Sequence, residues 1–583
     1  MKQFVKYVLA TVTGIILTFI VFIIFIFSVI VGVAASAKKI EPITENSILE
    51  IEIKNRIVEN DDDNPFAMIL AGGADFSSTS IVKIRQALDK AKNDDKINGV
   101  FLKIGFFEGG FASLQEIRQQ ISEFKKSGKF VYAYADIIDE KGYYLASAAD
   151  SVFLNPAGDF FLNGFSSQIM YLKDALDKMG VEMQAIRVGE YKSAVEPFTN
   201  NRMSDENRVQ MEAYMNSLFN IFLEETANSR GKSVDEIRQL AHDFSIQSAK
   251  DAAAAGLIDA TFFMDEVKSQ FAKRTKIKDK DLKFIGYKRY ASGDDKGVTT
   301  GKRIAVVYAS GEINLGQGSS ESIGSESLVK TLEKIRNDAE IKAVVLRINS
   351  PGGSALASDI IWREVKLLQA QKPVIVSMGD VAASGGYYIA MPADTIIAQP
   401  ATITGSIGVF LLLPNAQKLL TDKLGLHFET VKTGPLADFG SIDRPMTDKE
   451  RQILQGYANR VYGDFLSRVA EGRSMDTAQV DKVARGRVWV ATDAKEVNLV
   501  DLLGNMDTAI NIAMWKGGIK DKTEVDIYPK AKNPFEQIMN LQGQVKTNVL
   551  KSELGPMYSF WKTLTSSAKM QGAQMRLPFD FTF

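Results

Sequence analysis

The chain has 583 residues, too many for one hydrophobic core, and its 45% hydrophobic and 24% charged content is ordinary for globular protein. A formal net charge of −1 gives no electrostatic reason to expect nucleic acid. The absence of cysteine excludes thiolate catalysis, disulfides and Cys-zinc sites, and with only His242 and His427 a multi-histidine metal centre is not expected.

The first element is apolar. From Tyr7 to Ala37 there is no charged residue. About 20 apolar residues cross a bilayer core, so residues 1–40 read as a membrane anchor. A cleavable signal peptide is the rival, since Ala35-Ser36-Ala37 resembles a cleavage site, but the apolar regions of such peptides run to only about 15 residues. Lys2 and Lys6 precede the run while Lys38 and Lys39 follow it, so the charge rule leaves orientation undecided.

Strands and helices then alternate. An alternating strand is predicted at Ser47 to Ile53, an amphipathic helix at Ile81 to Ala91, and strands at Val100 to Ile104 and Phe130 to Tyr134. Further along come strands at Arg303 to Tyr308, Ala343 to Ile348 and Val374 to Val376, with a helix at Leu328 to Ile335. Such alternation implies parallel sheets with helical crossovers. A polar stretch over 289–302 is the expected linker between domains at 41–288 and 303–530. Residues 531–583 form an extension in which Phe535, Ile538 and Leu541 share one face of a predicted helix suited to packing on a neighbour.

The two domains are copies. Asn93-Asp94-Asp95-Lys96-Ile97 matches Asn337-Asp338-Ala339-Glu340-Ile341 at an offset of 244, which still holds at Gly142-Tyr143-Tyr144 and Gly386-Tyr387-Tyr388. In that register Ser384 faces Glu140. At an offset of 245 Lys192 faces Ala437. Each copy keeps one polar reactive group that the other lacks, which suggests a single site built from both.

Two glycine-rich turns in the second copy carry the chemistry. Asn349-Ser350-Pro351-Gly352-Gly353-Ser354 follows a strand and precedes a helix, where free N–H groups favour negative charge and suit an oxyanion hole. The plain alternative is a turn with Ser354 as helix cap. The first copy's counterpart, Phe106-Phe107-Glu108-Gly109-Gly110, adds an acid that would repel an oxyanion. In Ala382-Ala383-Ser384-Gly385-Gly386, small neighbours leave the Ser384 hydroxyl accessible, with the Gly385 N–H beside the reacting carbonyl. Helix capping is the commonest fate of such a serine.

A serine nucleophile needs a base, and Lys192 in Gly189-Glu190-Tyr191-Lys192-Ser193 is the candidate. Lysine is protonated at neutral pH unless burial lowers its pKa. A Ser384–His427 pair is a further alternative, but it would sit in one copy and leave Lys192 idle.

These motifs, in this order and behind an apolar N-terminus, resemble the long, double-domain form of the signal peptide peptidase A (protease IV) family over nearly the whole chain. The resemblance implies two tandem ββα-superhelix domains, related to Clp protease and crotonase, after one transmembrane helix. It implies a Ser/Lys endopeptidase with Ser384 as nucleophile, Lys192 as general base and Ser406 orienting the lysine. Gly352 or Gly353, with Gly385, would form the oxyanion hole. No metal or organic cofactor is implied. The expected partners are signal peptides and other unfolded peptides, the lipid bilayer and three further copies in a homotetramer. The expected location is a bacterial inner membrane, single-pass, with the catalytic domains on the periplasmic side. Rival classes are a crotonase-type acyl-CoA enzyme, which needs neither anchor nor Ser/Lys pair, and a non-catalytic membrane scaffold.

Overall fold

The computed structural model describes residues 3–4, 6–7, 10–21, 24, 43–60, 78–292, 302–319, 321–520, 525–530 and 572–577. Residues 10–21 are helical, but most of the apolar run after them lies outside the described residues, and among the described residues no helix is long and apolar enough to cross a membrane. The expected helix face at Phe535, Ile538 and Leu541 also lies outside them. So does most of the 289–302 linker, of which 289–291 end the helix Tyr287–Ala291.

Each copy builds a parallel sheet. In the first, strands run in the order Thr79–Ser80, Ser47–Val58, Ile97–Glu108, Phe130–Ala135, Ser151–Leu154 and Ala260–Thr261, with Lys283–Gly286 also on Ser47–Val58. In the second, Arg303–Ser310, Ile341–Ser350, Val374–Ala383 and Thr395–Ala398 repeat the central order. The near-continuous apolar run 343–348 is buried on both faces, as parallel strands under helices require. The helix Ile81–Lys92 buries Ile81, Ile84, Leu88 and Ala91 and starts where the Ser80 side chain accepts the Lys83 N–H. Its counterpart Ser325–Asn337 buries Leu328, Leu332 and Ile335 at the same spacing.

A third sheet joins the copies. Its order is Ser322–Gly324, Glu312–Asn314, Gly352–Ser354, Gln574–Arg576, Val409–Asn415 and Glu182–Val188. The strand Glu182–Val188, from the first copy, pairs antiparallel with Val409–Asn415 along its whole length, Val188 against Val409 and Glu182 against Asn415. This pairing carries the segment that follows Glu182–Val188 into the second copy.

Buried charge ties the copies as well. Arg347 is fully buried and donates to Glu59 at 3.0 Å, to Ser377 Oγ at 2.9 Å and to Met378 O at 3.0 Å, with Glu116 at 3.7 Å. Glu59 and Glu116 come from the first copy. Burial pushes the Glu59 carboxyl up, against the pull of Arg347.

Candidate active site

Ser384 ends the strand Val374–Ala383 and opens the helix Gly385–Ala390. Its N–H donates to Gly405 O at 2.8 Å, and its φ of 55° is a left-handed conformation that only local over-determination holds. The helix-cap alternative does not hold for Ser384, because its hydroxyl makes no cap hydrogen bond. For Ser354 the cap reading is right: its side chain accepts the Ala357 N–H at the start of Ala355–Gln369.

Lys192 comes to Ser384 from the other copy. The Tyr191 N–H donates to Arg485 O at 3.0 Å, fixing the loop after Glu182–Val188 onto the second copy. A Cβ on Gly486 would lie 2.5 Å from Lys192 N, and one on Gly408 would lie 3.1 Å from its Cδ, so both glycines make room for the lysine. Lys192 Nζ then lies 2.8 Å from Ser384 Oγ, 2.9 Å from Ser406 O and 2.9 Å from Ser406 Oγ. All three residues are fully buried. Burial alone holds the Lys192 amine well below the ordinary lysine range, with no carboxylate opposing it.

This environment sets the geometry of the amine. A neutral amine has two N–H donors and one lone pair. The two oxygens of Ser406 match the donors, which leaves the lone pair for Ser384. His427, by contrast, is exposed, whereas Ser384 is fully buried.

The glycine turns meet beside Ser384. A Cβ on Gly352, whose φ is +97°, would fall 2.7 Å from the Gly385 N, so the two backbones are in close approach. The Gly352 N–H is engaged by Ser350 Oγ at 3.2 Å.

In the first copy the corresponding places have other uses. Glu140 accepts the N–H of Asn163 at 2.7 Å and of Gly164 at 3.0 Å, filling the site with its own carboxylate. The loop at Gly109-Gly110 leads into the helix Phe111–Lys125, whose N-terminus holds Asp380: Ser113 donates its N–H at 2.7 Å and its hydroxyl at 2.5 Å. Asp380 stands four residues before Ser384. Ala437 is exposed. Arg347, Gly408 and Gly486 were not foreseen, since nothing in their local sequence marks them.

The sequence profile of peptidase family S49 matches this chain twice, at residues 123–278 and 366–520. The chain belongs to peptidase family S49. A Clp protease profile also matches, at 296–403, in keeping with the Clp protease-like α/β fold of the repeated S49 unit. This S49 chain is 37% identical over 455 residues to "Serine protease SPPA, chloroplastic" from Arabidopsis thaliana, covering 76% of the chain and 66% of that protein. It is 35% identical over 501 residues to "Protease 4" from Haemophilus influenzae, covering 83% of the chain and 81% of that protein. A shorter match, 35% over 222 residues, is to "Putative signal peptide peptidase SppA" from Enterococcus faecium, covering 38% of the chain and 64% of that protein. The S49 chain is thus a serine protease, and its two profile matches fall one in each of the two copies read from the sequence.

Proposed function

We propose that the chain is a Ser/Lys endopeptidase whose single site is assembled from both copies. The observation that carries this reading is the buried Lys192 amine, 2.8 Å from Ser384 Oγ and held otherwise by Ser406. Neutral Lys192 takes the Ser384 proton as Oγ attacks a peptide carbonyl. The N–H groups of Gly353 and Gly385 receive the developing oxyanion, while Gly352 provides the clearance that lets a peptide backbone approach. Lys192 then protonates the leaving amine and activates the water that hydrolyses the acyl-enzyme. Ser406 is a positioning residue, keeping the lone pair aimed.

The substrates we infer are signal peptides and other unfolded peptides. The name of the Enterococcus faecium relative and the apolar run 7–37 support a peptidase working at a membrane, anchored once through residues 1–40 with its domains at 41–288 and 303–530 on the periplasmic face of a bacterial inner membrane. A ring of four copies has support from the repeat itself. Glu182–Val188 pairs with Val409–Asn415, but the counterparts of these strands, near 427–433 and 165–171, belong to no helix or sheet, with Met170, Phe428 and Val431 exposed. Pairing one copy's 427–433 with the next copy's 165–171 would reuse the same contact head to tail and close a ring.

Labelling with a fluorophosphonate or β-lactone probe tests the chemistry. Adduct mapped to Ser384, and lost in Ser384→Ala, is the expected result. Hydrolysis of peptide that persists in Ser384→Ala defeats the assignment.

A further inference from the structure

Gln210 stands on the helix Asp205–Arg230 of the first copy and is buried, with 2% of its surface exposed. Its amide nitrogen donates to Tyr191 O at 3.2 Å, Ser193 Oγ at 3.0 Å and Asn207 Oδ1 at 3.0 Å. Tyr191 and Ser193 are the two neighbours of Lys192 in the chain. Its amide oxygen accepts the N–H of Val488, from the second copy, at 3.1 Å. The strand Val488–Val490 pairs antiparallel with Ile403–Gly405, Val488 against Gly405. Gly405 O accepts the Ser384 N–H at 2.8 Å, and the Ser406 N–H donates to Arg487 O at 2.7 Å. One planar amide thus joins the backbone on both sides of the lysine to the backbone that fixes both serines.

The partners dictate which way the amide points. Tyr191 O only accepts and the Val488 N–H only donates, so a flipped amide would set oxygen against oxygen and N–H against N–H. A carboxylate in its place would take the Val488 N–H but repel Tyr191 O. An apolar side chain would leave both buried groups unpaired. The surroundings are already satisfied among themselves. The Ser193 hydroxyl donates to Asn207 Oδ1 at 2.9 Å, and Asn207 Nδ2 donates to Glu196 Oε2 at 3.0 Å. Glu196 accepts the Ser204 hydroxyl at 2.5 Å and has Arg187 at 3.6 Å; these two are the charged groups of the network. The helix does not need Gln210 for its own start, since the Ser204 side chain caps it by accepting the Asn207 N–H.

We propose that Gln210 is a positioning residue for the reaction, holding the Lys192 amine in register with Ser384 and Ser406 across the boundary between the copies. The proposal rests on the Ser/Lys reading above. The hydrogen bonds of Gln210 go to the backbone, Ser193 and Asn207, not to the reacting atoms. It acts by fixing both neighbours of the lysine against the strand that precedes Ser406. That keeps Nζ at 2.8 Å from Ser384 Oγ while Ser406 holds its other side. A reacting group misplaced by about 1 Å loses about 10²-fold in rate, so a tether one residue away on either side bears directly on turnover.

The test is steady-state hydrolysis of one apolar reporter peptide by the full-length chain in mild detergent, with melting curves at each pH. The chains compared are the unaltered one, Gln210→Met, Gln210→Glu, Ser384→Ala and Lys192→Ala. Gln210→Met, which keeps the volume and loses both polar ends, should lower kcat about 10- to 100-fold with KM nearly unchanged in a chain that stays folded. Gln210→Glu reads the hydrogen bonds themselves. Its protonated carboxyl can donate to Tyr191 O while accepting the Val488 N–H, and its ionised form cannot. Its kcat deficit should therefore be at least about threefold wider at about pH 8 than at about pH 5.5. Unchanged kcat in both variants, a loss confined to KM, or a Gln210→Glu deficit flat in pH overturns the proposal. Variants that are unfolded at the assay temperature also overturn it, since Gln210 would then serve stability alone. In those cases inactive Ser384→Ala and Lys192→Ala chains leave the Ser/Lys reading standing. If either of those two still hydrolyses the reporter, both readings fall.

Discussion

Lys192 and Ser384 stand 192 positions apart in sequence, and their reactive atoms are 2.8 Å apart in the fold. One copy supplies the amine and the other the hydroxyl, within the same chain. The amine is fully buried and its remaining contacts are the carbonyl and hydroxyl oxygens of Ser406.

Groups that act as a unit lose function together. Ser384→Ala and Lys192→Ala should each cut peptide hydrolysis by at least about 10³-fold, and the double variant should be little worse than either. His427→Ala, far more exposed than either, should retain most activity. Steady-state kinetics on one peptide decides this, and a dead His427→Ala beside an active Lys192→Ala reverses the assignment.

The pH dependence follows from the lowered Lys192 pKa. The proposed mechanism needs the neutral amine, so kcat/KM should rise with pH through the folded value and favour the alkaline side. An optimum near pH 5 that falls away above it contradicts a lysine base. Stability has its own sign. Between the unfolded lysine pKa of about 10.4 and the lower folded value, the unfolded chain binds a proton that the folded chain does not. Folding is therefore penalised increasingly as pH falls through that window. The melting temperature of Lys192→Met relative to the unaltered chain should rise as pH drops below about 10, and a difference that is flat in pH counts against a depressed lysine.

Ser406→Ala removes one of the two acceptors that orient the amine. Losing a hydrogen bond worth about 1 kcal/mol predicts a fall in kcat of roughly fivefold, with KM nearly unchanged. A change confined to KM would place Ser406 in substrate binding instead.

Arg347→Met leaves Glu59 and Glu116 buried without their counter-charge. Breaking a buried pair from one side costs about 3–5 kcal/mol, which should appear as a lower melting temperature. Burial already raises the Glu59 carboxyl above its usual range, and without Arg347 it should rise further. A raised carboxyl pKa gives stability that is present at low pH and lost as pH rises through the folded value. The deficit of Arg347→Met should therefore shrink between pH 7 and pH 5, and a deficit that widens there rules out Glu59 as the group left unpaired.

Complementation separates one chain from two. Mixed oligomers of Ser384→Ala and Lys192→Ala chains should remain inactive, because each chain lacks one member of its own pair. Substantial recovered activity in purified mixed oligomers would mean that the lysine serves a neighbour's serine.

The sequence alone determined the parallel strand–helix repeat, because apolar runs such as 343–346 and helix faces such as Ile81, Ile84 and Leu88 report burial locally. It also brought out Ser384 and Lys192, since a repeat exposes the positions at which two copies differ. What it did not determine is anything that depends on which distant backbone arrives. Gly486 and Gly408 read as ordinary glycines until the Lys192 chain is laid between them. Arg347 reads as a strand residue until Glu59 and Glu116 close on it. Asp380, which matches Asp136 at the same offset of 244, is a repeat marker until the N-terminus of Phe111–Lys125 takes its carboxylate. Met575 sits in a stretch with no motif at all, and only the pairing of 574–576 against Gly352–Ser354 sets its carbonyl over the glycines. Periodicity is written in neighbours along the chain, whereas close approach and electrostatic pairing are set by contacts between residues hundreds of positions apart, and those exist only once the two copies have packed.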